Sequence, residues 1–393
     1  MEGEMSMKDG RQKWGRGFRR VLPGFLCVCM FVMQGGLETA WADWDYDQGE
    51  GGRPASVEYS LNDFYFDTVI SIRFYAGENG NELTDGCRSI CDEIQETFSR
   101  TDEDSELYAV NHRAPEQDLV EVSAPLAELV TKGLEYYELS DGRFDITIAP
   151  LSELWDFRSG EAVIPSEAEI QSALRKVDAS AVHVERITAG TDETGTDTTE
   201  TIAAGTNQTG MNHDGTVQET EPDAGTWGIR FDSPETMIDL GALVKGYAAD
   251  CLAEYLKGEG VTSGLINLGG NVLAIGPKPD GNAWKIGIQK PFDTGIVDTV
   301  EVMGQSVVSS GVYERCFEQD GKLYHHILDP KTGYPVENGL WGVSIISDSS
   351  LTGDALSTTC LLIGQDEASE LIRSTEGVRA IFVDDSLHVT ECE

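Results

Sequence analysis

The sequence predicts an α+β fold, and three observations carry that prediction. Helical and strand-like stretches follow one another without a regular βαβ repeat. Of the 393 residues, 40% are hydrophobic and 8% aromatic, enough for the core of one large or two medium domains. One segment of quite different composition interrupts core-like sequence on both sides, which points to one interrupted domain of mixed helices and strands more than to two separate ones.

Residues 1–42 read as a secretory signal peptide. Lys8, Arg11, Lys13, Arg16, Arg19 and Arg20 form a basic start, Val21 to Met33 a mostly apolar run, and Ala40-Trp41-Ala42 a cleavage site. The run is short for a membrane span, although an uncleaved anchor is the alternative. An exported protein, secreted or membrane-associated, is therefore expected. Residues 43–56 are polar and Gly-rich and read as a linker. A folded unit is expected over 57–390.

Within that unit a strand begins near Val57, and Phe66 to Tyr75 reads as another from its β-branched and aromatic residues. Asn81 to Phe98 reads as a helix, with Cys87 and Cys91 one turn apart as small buried hydrophobes. Pro125 to Leu139 and Pro165 to Lys176 read as further helices. Thr188 to Thr226 holds twelve Thr, six Gly and eight acidic residues with no Lys or Arg, and reads as a low-complexity insertion or surface loop. A strand is expected to end at Asp239, and Lys245 to Leu256 to be helical. Ser263 to Ile275 reads as strand, Gly-Gly turn, strand. Trp284 to Gln289 and Leu340 to Ser347 read as strands, Gly353 to Ile363 and Asp366 to Ser374 as helices. The cysteines beyond the leader are scattered, without a CxxC pair, so neither a zinc site nor a dense disulfide framework is suggested.

The net charge is −41, which argues against a nucleic-acid partner because phosphates would be repelled at long range. A small anionic substrate would need a local metal ion, a lysine or backbone amides. Four clusters could supply such chemistry. Asp145 follows the Asp141-Gly142-Arg143-Phe144 turn and can place a carboxylate at a pocket rim, or can simply open a strand. Asp239 to Ala248 leads through a small-residue loop into a helix, where Lys245 can neutralise phosphate or stay solvated. His325 and His326 precede the Asp329-Pro330-Lys331-Thr332-Gly333 turn. They point to opposite sides of an extended chain, so one can be a general base and the other structural. Asp354 and Thr358 share one helix face and can both reach a hard cation, while Asp354 as an N-terminal cap is the plainer reading.

Taken together, these clusters resemble the ApbE family. The likeness runs through Phe66-Asp67-Thr68, Asp104 to Leu107 with Asn111, Gly142 to Thr147, Asp239 to Tyr247, Asn267 to Gly270, Ile288 to Pro291, Ser309 to Gly311, His326 to Pro335 and Asp354 to Thr358. It spans about residues 58 to 385, broken by the Thr-rich insertion. The resemblance implies a T-fold-like catalytic unit and a flavinylation activity. An FAD:protein FMN transferase of this kind cleaves the pyrophosphate of FAD, attaches FMN by a phosphoester to a Thr or Ser hydroxyl, and releases AMP. It implies Mg²⁺ bound by Asp354, Thr358 and the Ala242 carbonyl. It implies FAD contacts at Phe66, Thr101, Arg143, Phe144, Asp145, Asp239, Lys245 and Leu328. It implies His326 as the base for the acceptor hydroxyl, with His325 structural. The acceptor is expected in trans, as a membrane or extracellular electron-transfer protein. The competing readings are an FAD pyrophosphatase, with water as the nucleophile, and an exported FAD-binding protein without turnover.

Overall fold

Alternation along the second strand sets the main sheet: Ile70, Ile72 and Phe74 are fully buried while Val69, Ser71 and Arg73 face outward or are half-buried. The computed structural model describes residues 56–191, 197–201 and 226–393. Its largest sheet has eight strands, all antiparallel to their neighbours, in the order β1-β2-β7-β8-β11-β14-β15-β16. These are β1 (Val57–Tyr65), β2 (Thr68–Ala76), β7 (Gly264–Leu268), β8 (Asn271–Ile275), β11 (Ser306–Gly311), β14 (Leu340–Ser347), β15 (Arg379–Asp384) and β16 (Val389–Cys392). Helices α1 (Gly80–Phe98), α6 (Val244–Gly258) and α7 (Ser350–Ile363) bury one face around Ile72, Phe74, Ile345 and Phe382. The hairpin of β9 (Trp284–Gln289) and β10 (Ile296–Val302) covers the other face, packing Trp284 and Val302 against Val307, Ile346 and Ile381. Covered on both sides, β14 is buried at every position but the half-buried Trp341, without alternation.

A second sheet has the order β3-β6-β4-β5, formed by β3 (Leu119–Val122), β6 (Thr226–Phe231), β4 (Val182–Thr191) and β5 (Asp197–Thr201). Helix α3 (Ala124–Leu139) packs on it, and α2 (Glu106–Asn111) precedes it. A third cluster is aromatic. Trp155 at the end of α4 (Ala149–Trp155) stacks with Tyr324 on the hairpin of β12 (Cys316–Gln319) and β13 (Lys322–His325), while α5 (Glu167–Leu174) adds Ile170. Helix α8 (Gln365–Ser374) follows α7.

Several expectations shift. Phe66 and Asp67 do not open a strand; they form the two-residue turn between β1 and β2, with φ of 54° and 58°. Two consecutive left-handed residues match the right-handed twist of a tight hairpin. No strand ends at Asp239. Residues 236–240 have no regular secondary structure and are held by Asn111 on Ile238 and by the Asp239 N–H donated to the Ile146 carbonyl at 2.7 Å. The Asp145 segment is a turn into α4, where Pro150 suits the first helical turn, and not a strand start. The Thr-rich segment is strand at 188–191 and at 197–201. There β5 pairs antiparallel with β4. Residues 192–196 and 202–225 lie outside the described residues. So do the expected signal peptide, 1–42, and the expected linker except Ser56. Cys87 and Cys91 are buried on α1, and burial pushes both thiols up to about 12. The six cysteines in the described residues are free. Among the described residues no helix is long and apolar enough to cross a membrane.

Candidate active site

Close packing of α6 on α7 builds the charged corner of the site. A Cβ at Gly246 would lie 2.6 Å from the Leu351 Cα and the Ser350 carbonyl, so glycine is what lets the helices touch. One turn further along α6, Asp250 accepts the Ser350 and Leu351 N–H groups at 2.8 and 3.0 Å and the Ser349 hydroxyl at 2.8 Å. A carboxylate thus satisfies the open amides at the start of α7. Ser349 is the cap residue of that helix, so Asp354 is free of the capping role.

Asp354 is 1% exposed. Its Oδ2 accepts the Gly246 N–H at 2.9 Å, and Lys245 Nζ stands 3.4 and 3.5 Å from its two oxygens. Burial pushes the carboxyl up, and Lys245 pulls the other way. Lys245 also donates to the Gly241 carbonyl at 3.3 Å. Glu314, between β11 and β12, belongs to the same electrostatic group. Burial raises its carboxyl to about 7, with Lys245 and Arg315 opposing and Asp354 adding to the rise.

His325 and His326 part as an extended chain requires. His325 is 4% exposed, and its Nε2–H donates to the Val336 carbonyl at 3.0 Å. His326 faces the cavity. Burial and the neighbouring Arg315 hold it down to about 3, so its ring is neutral, and its Nδ1 has no hydrogen-bond partner.

All twelve residues singled out from the sequence line one cavity of about 1360 Å³. Phe66 sits at its mouth on the β1–β2 turn and Thr101 on the loop after α1. Arg143 and Phe144 come from the turn after α3; Phe144 is buried against Tyr136, and Arg143 reaches the Leu362 carbonyl at 3.5 Å. Asp145 reaches the cavity, but its carboxylate is already engaged by the Thr147 N–H at 2.7 Å and hydroxyl at 2.6 Å. Burial raises it and those bonds oppose the rise. It shapes the turn more than it offers a free charge. Asp239 accepts the Gly241 N–H at 2.9 Å. Leu328 packs on the aromatic cluster. Ala242 and Thr358 line the same cavity as Asp354 and Lys245, with Thr358 one turn after Asp354 on α7.

A buried carboxylate, a hydroxyl and a backbone carbonyl are hard oxygen donors. Mg²⁺ commonly takes one or two carboxylates together with substrate phosphates and water. The donor set and the buried charge of Asp354 fit that ion. Among the described residues no group of three or more His, Cys, Asp or Glu could hold a metal by itself.

The structure adds residues that sequence reasoning missed. Arg100 lies between Glu153 at 2.6 Å and Asp239 at 3.3 Å, with its side chain 9% exposed. Asp67 and Arg158 pair at 2.9 Å, and Glu314 and Arg315 join the cavity wall. Glu314 and Arg315 were within reach, because the charged pair lies only two residues beyond the Ser309 to Gly311 segment. Asp67 with Arg158 had no sequence signal, since only the fold brings them together.

Known proteins resemble this chain in sequence and in fold. Residues 66–382 match the ApbE family. A FAD:protein FMN transferase of Klebsiella pneumoniae is 33% identical over 282 residues, covering 71% of this chain and 75% of the relative. One of Treponema pallidum is 30% identical over 347 residues, covering 85% and 86%. The crystal structure of the ApbE protein of Thermotoga maritima superposes with a TM-score of 0.68 at 28% identity, covering 86% of this chain and 97% of that one. The apo flavinyl transferase ApbE of Pseudomonas stutzeri gives 0.67 at 25%, covering 86% and 96%. The chain belongs to the ApbE family, and it is a transferase.

Proposed function

We propose that this chain is an Mg²⁺-dependent FAD:protein FMN transferase whose acceptor is a Thr or Ser hydroxyl on an exported or membrane redox protein. The observation that carries the reading is the buried Lys245–Asp354 corner opening, together with His326, into one cavity. In a chain of net charge −41, this is where a pyrophosphate can be tolerated.

Lys245 binds the pyrophosphate as a point charge. Asp354, Thr358 and the Ala242 carbonyl are the residues that would hold the metal. Bound there, Mg²⁺ would supply charge neutralisation to the phosphates. Phe66 packs on the flavin, while Arg143, Phe144, Asp239, Thr101 and Leu328 shape the rest of the FAD site. The acceptor oxygen forms a bond to the FMN-side phosphorus as the bond to the AMP oxygen breaks. The hydroxyl proton goes to His326. Its neutral ring keeps a lone pair at pH 7, and an incoming pyrophosphate offsets the positive field of Arg315 and Lys245, which strengthens the base.

The leader over residues 1–42 supports export, and the acceptor is then extracytoplasmic. The test is mass spectrometry of a reaction containing FAD, Mg²⁺ and an acceptor domain. The expected product is an acceptor heavier by one FMN phosphoester, with AMP released. Free FMN and AMP beside an unmodified acceptor would favour the pyrophosphatase, and intact FAD would favour binding without turnover.

A further inference from the structure

Two short segments face each other at the cavity mouth, and each couples an aromatic residue to a charge. Phe66-Asp67 is the β1–β2 turn, and Phe157-Arg158 follows α4; all four residues line the cavity. Arg158 Nη2 lies 2.9 Å from Asp67 Oδ2. Each segment is fixed from behind. The Phe66 N–H donates to Gln95 at 3.3 Å, and its ring meets that of Tyr65 at 5.8 Å. Phe157 stacks on Trp155 and Phe317, each at 5.6 Å. Phe66, Asp67 and Asp156 all hold positive φ, a conformation that side chains rarely adopt and that surrounding contacts must enforce. The ion pair is different in kind. Its side chains are 37% and 45% exposed, so water can replace the contact at little cost.

We propose that the Asp67–Arg158 pair is an openable tie across the cavity mouth. It retains the flavin end of the substrate between Phe66 and Phe157, which makes Asp67 and Arg158 positioning residues and Phe157 a second wall for a planar heteroaromatic ring. This rests on the reading of FAD as substrate. Aromatic walls favour a flat ring, and an exposed tie between them sets how long that ring stays. A nucleotide lacking the flavin would not engage the mouth.

The experiment compares FAD with ADP-ribose, which keeps the adenylate and pyrophosphate but has no flavin. FAD release from the full chain is followed by stopped-flow flavin fluorescence, and ADP-ribose affinity by competition. Asp67→Asn suits the positive φ and removes the charge; Arg158→Gln removes the partner. Each single variant is expected to release FAD about three- to five-fold faster, and the double variant no faster than the worse single. ADP-ribose affinity stays at the wild-type value. Raising salt speeds release from the wild type but not from the variants. Phe157→Ala speeds FAD release alone, and Phe157→Leu less so. Singles that release FAD at the wild-type rate, or that lose FAD and ADP-ribose alike, overturn the tie. A wild-type chain that retains no FAD overturns the substrate reading and the tie with it.

Discussion

The two ends of the cavity are built in opposite ways. At the inner end, Asp354 is 1% exposed and stands on helices so close that Gly246 has no room for a methyl group. At the mouth, Asp67 and Arg158 meet through side chains more than a third exposed, on a turn and a loop. Charge handling needs groups whose positions do not relax, and helices packed backbone to backbone provide that. Admission and release need contacts that water can replace, and exposed loops provide those. The same kind of contact, one cation with one carboxylate, serves both ends; burial separates the roles.

The largest effect is expected at the inner end. Asp354→Ala removes a metal ligand and the partner of Lys245, and should lower FMN transfer by at least about a thousand-fold with the fold kept. A variant transferring at the wild-type rate would sink the metal assignment. Gly246→Ala should destabilise by roughly 1–3 kcal/mol through overpacking of α6 on α7, with lost activity, read as a lower urea midpoint. An unchanged midpoint would mean that the helices can part freely. Asp250→Ala should cost about 1–2 kcal/mol by leaving the α7 amides open, and should weaken transfer less than Asp354→Ala does. Equal losses of transfer would place Asp250 in the chemistry itself.

How much of this was legible depended on the range of the signal. Period and turn residues marked α1, α3, α6 and the Gly269-Gly270 hairpin, because local patterns decide those. The irregular run to Asp239 misled as a strand, because its backbone partner is not a neighbouring strand but a side chain far away in sequence: Asn111 clamps both backbone groups of Ile238. Phe66-Asp67 read as strand because they open a β-branched and aromatic run, and the hairpin turn places both residues just outside that strand. In the site, the separation of His325 from His326 and the shared face of Asp354 and Thr358 followed from geometry within one element. Lys245 beside Asp354 did not. That contact depends on two helices meeting at a glycine, and the same holds for Arg100 between Glu153 and Asp239.

The last expected effect appears only when the pH is changed, and it concerns a histidine that does not line the cavity. His325 donates Nε2–H to the Val336 carbonyl, so its neutral form leaves Nδ1 bare, buried and without a partner. Protonation would place an unsolvated cation there, and burial accordingly holds the ring down to about 4 from its ordinary 6.5. Below pH 6.5 the unfolded chain binds a proton that the folded chain refuses until about pH 4. Stability therefore falls with falling pH through that window, by about 2 kcal/mol at pH 5. Glu314, raised to about 7, acts in the opposite sense, favouring the fold at low pH and losing that contribution as pH rises through 7. The wild type alone would blur the two. The difference between the wild type and His325→Gln, which keeps a donor for Val336, isolates the histidine. Urea midpoints at pH 7 and pH 5 should fall further for the wild type than for the variant. Equal falls would show that the ring takes up its proton in the folded state as readily as in the unfolded one.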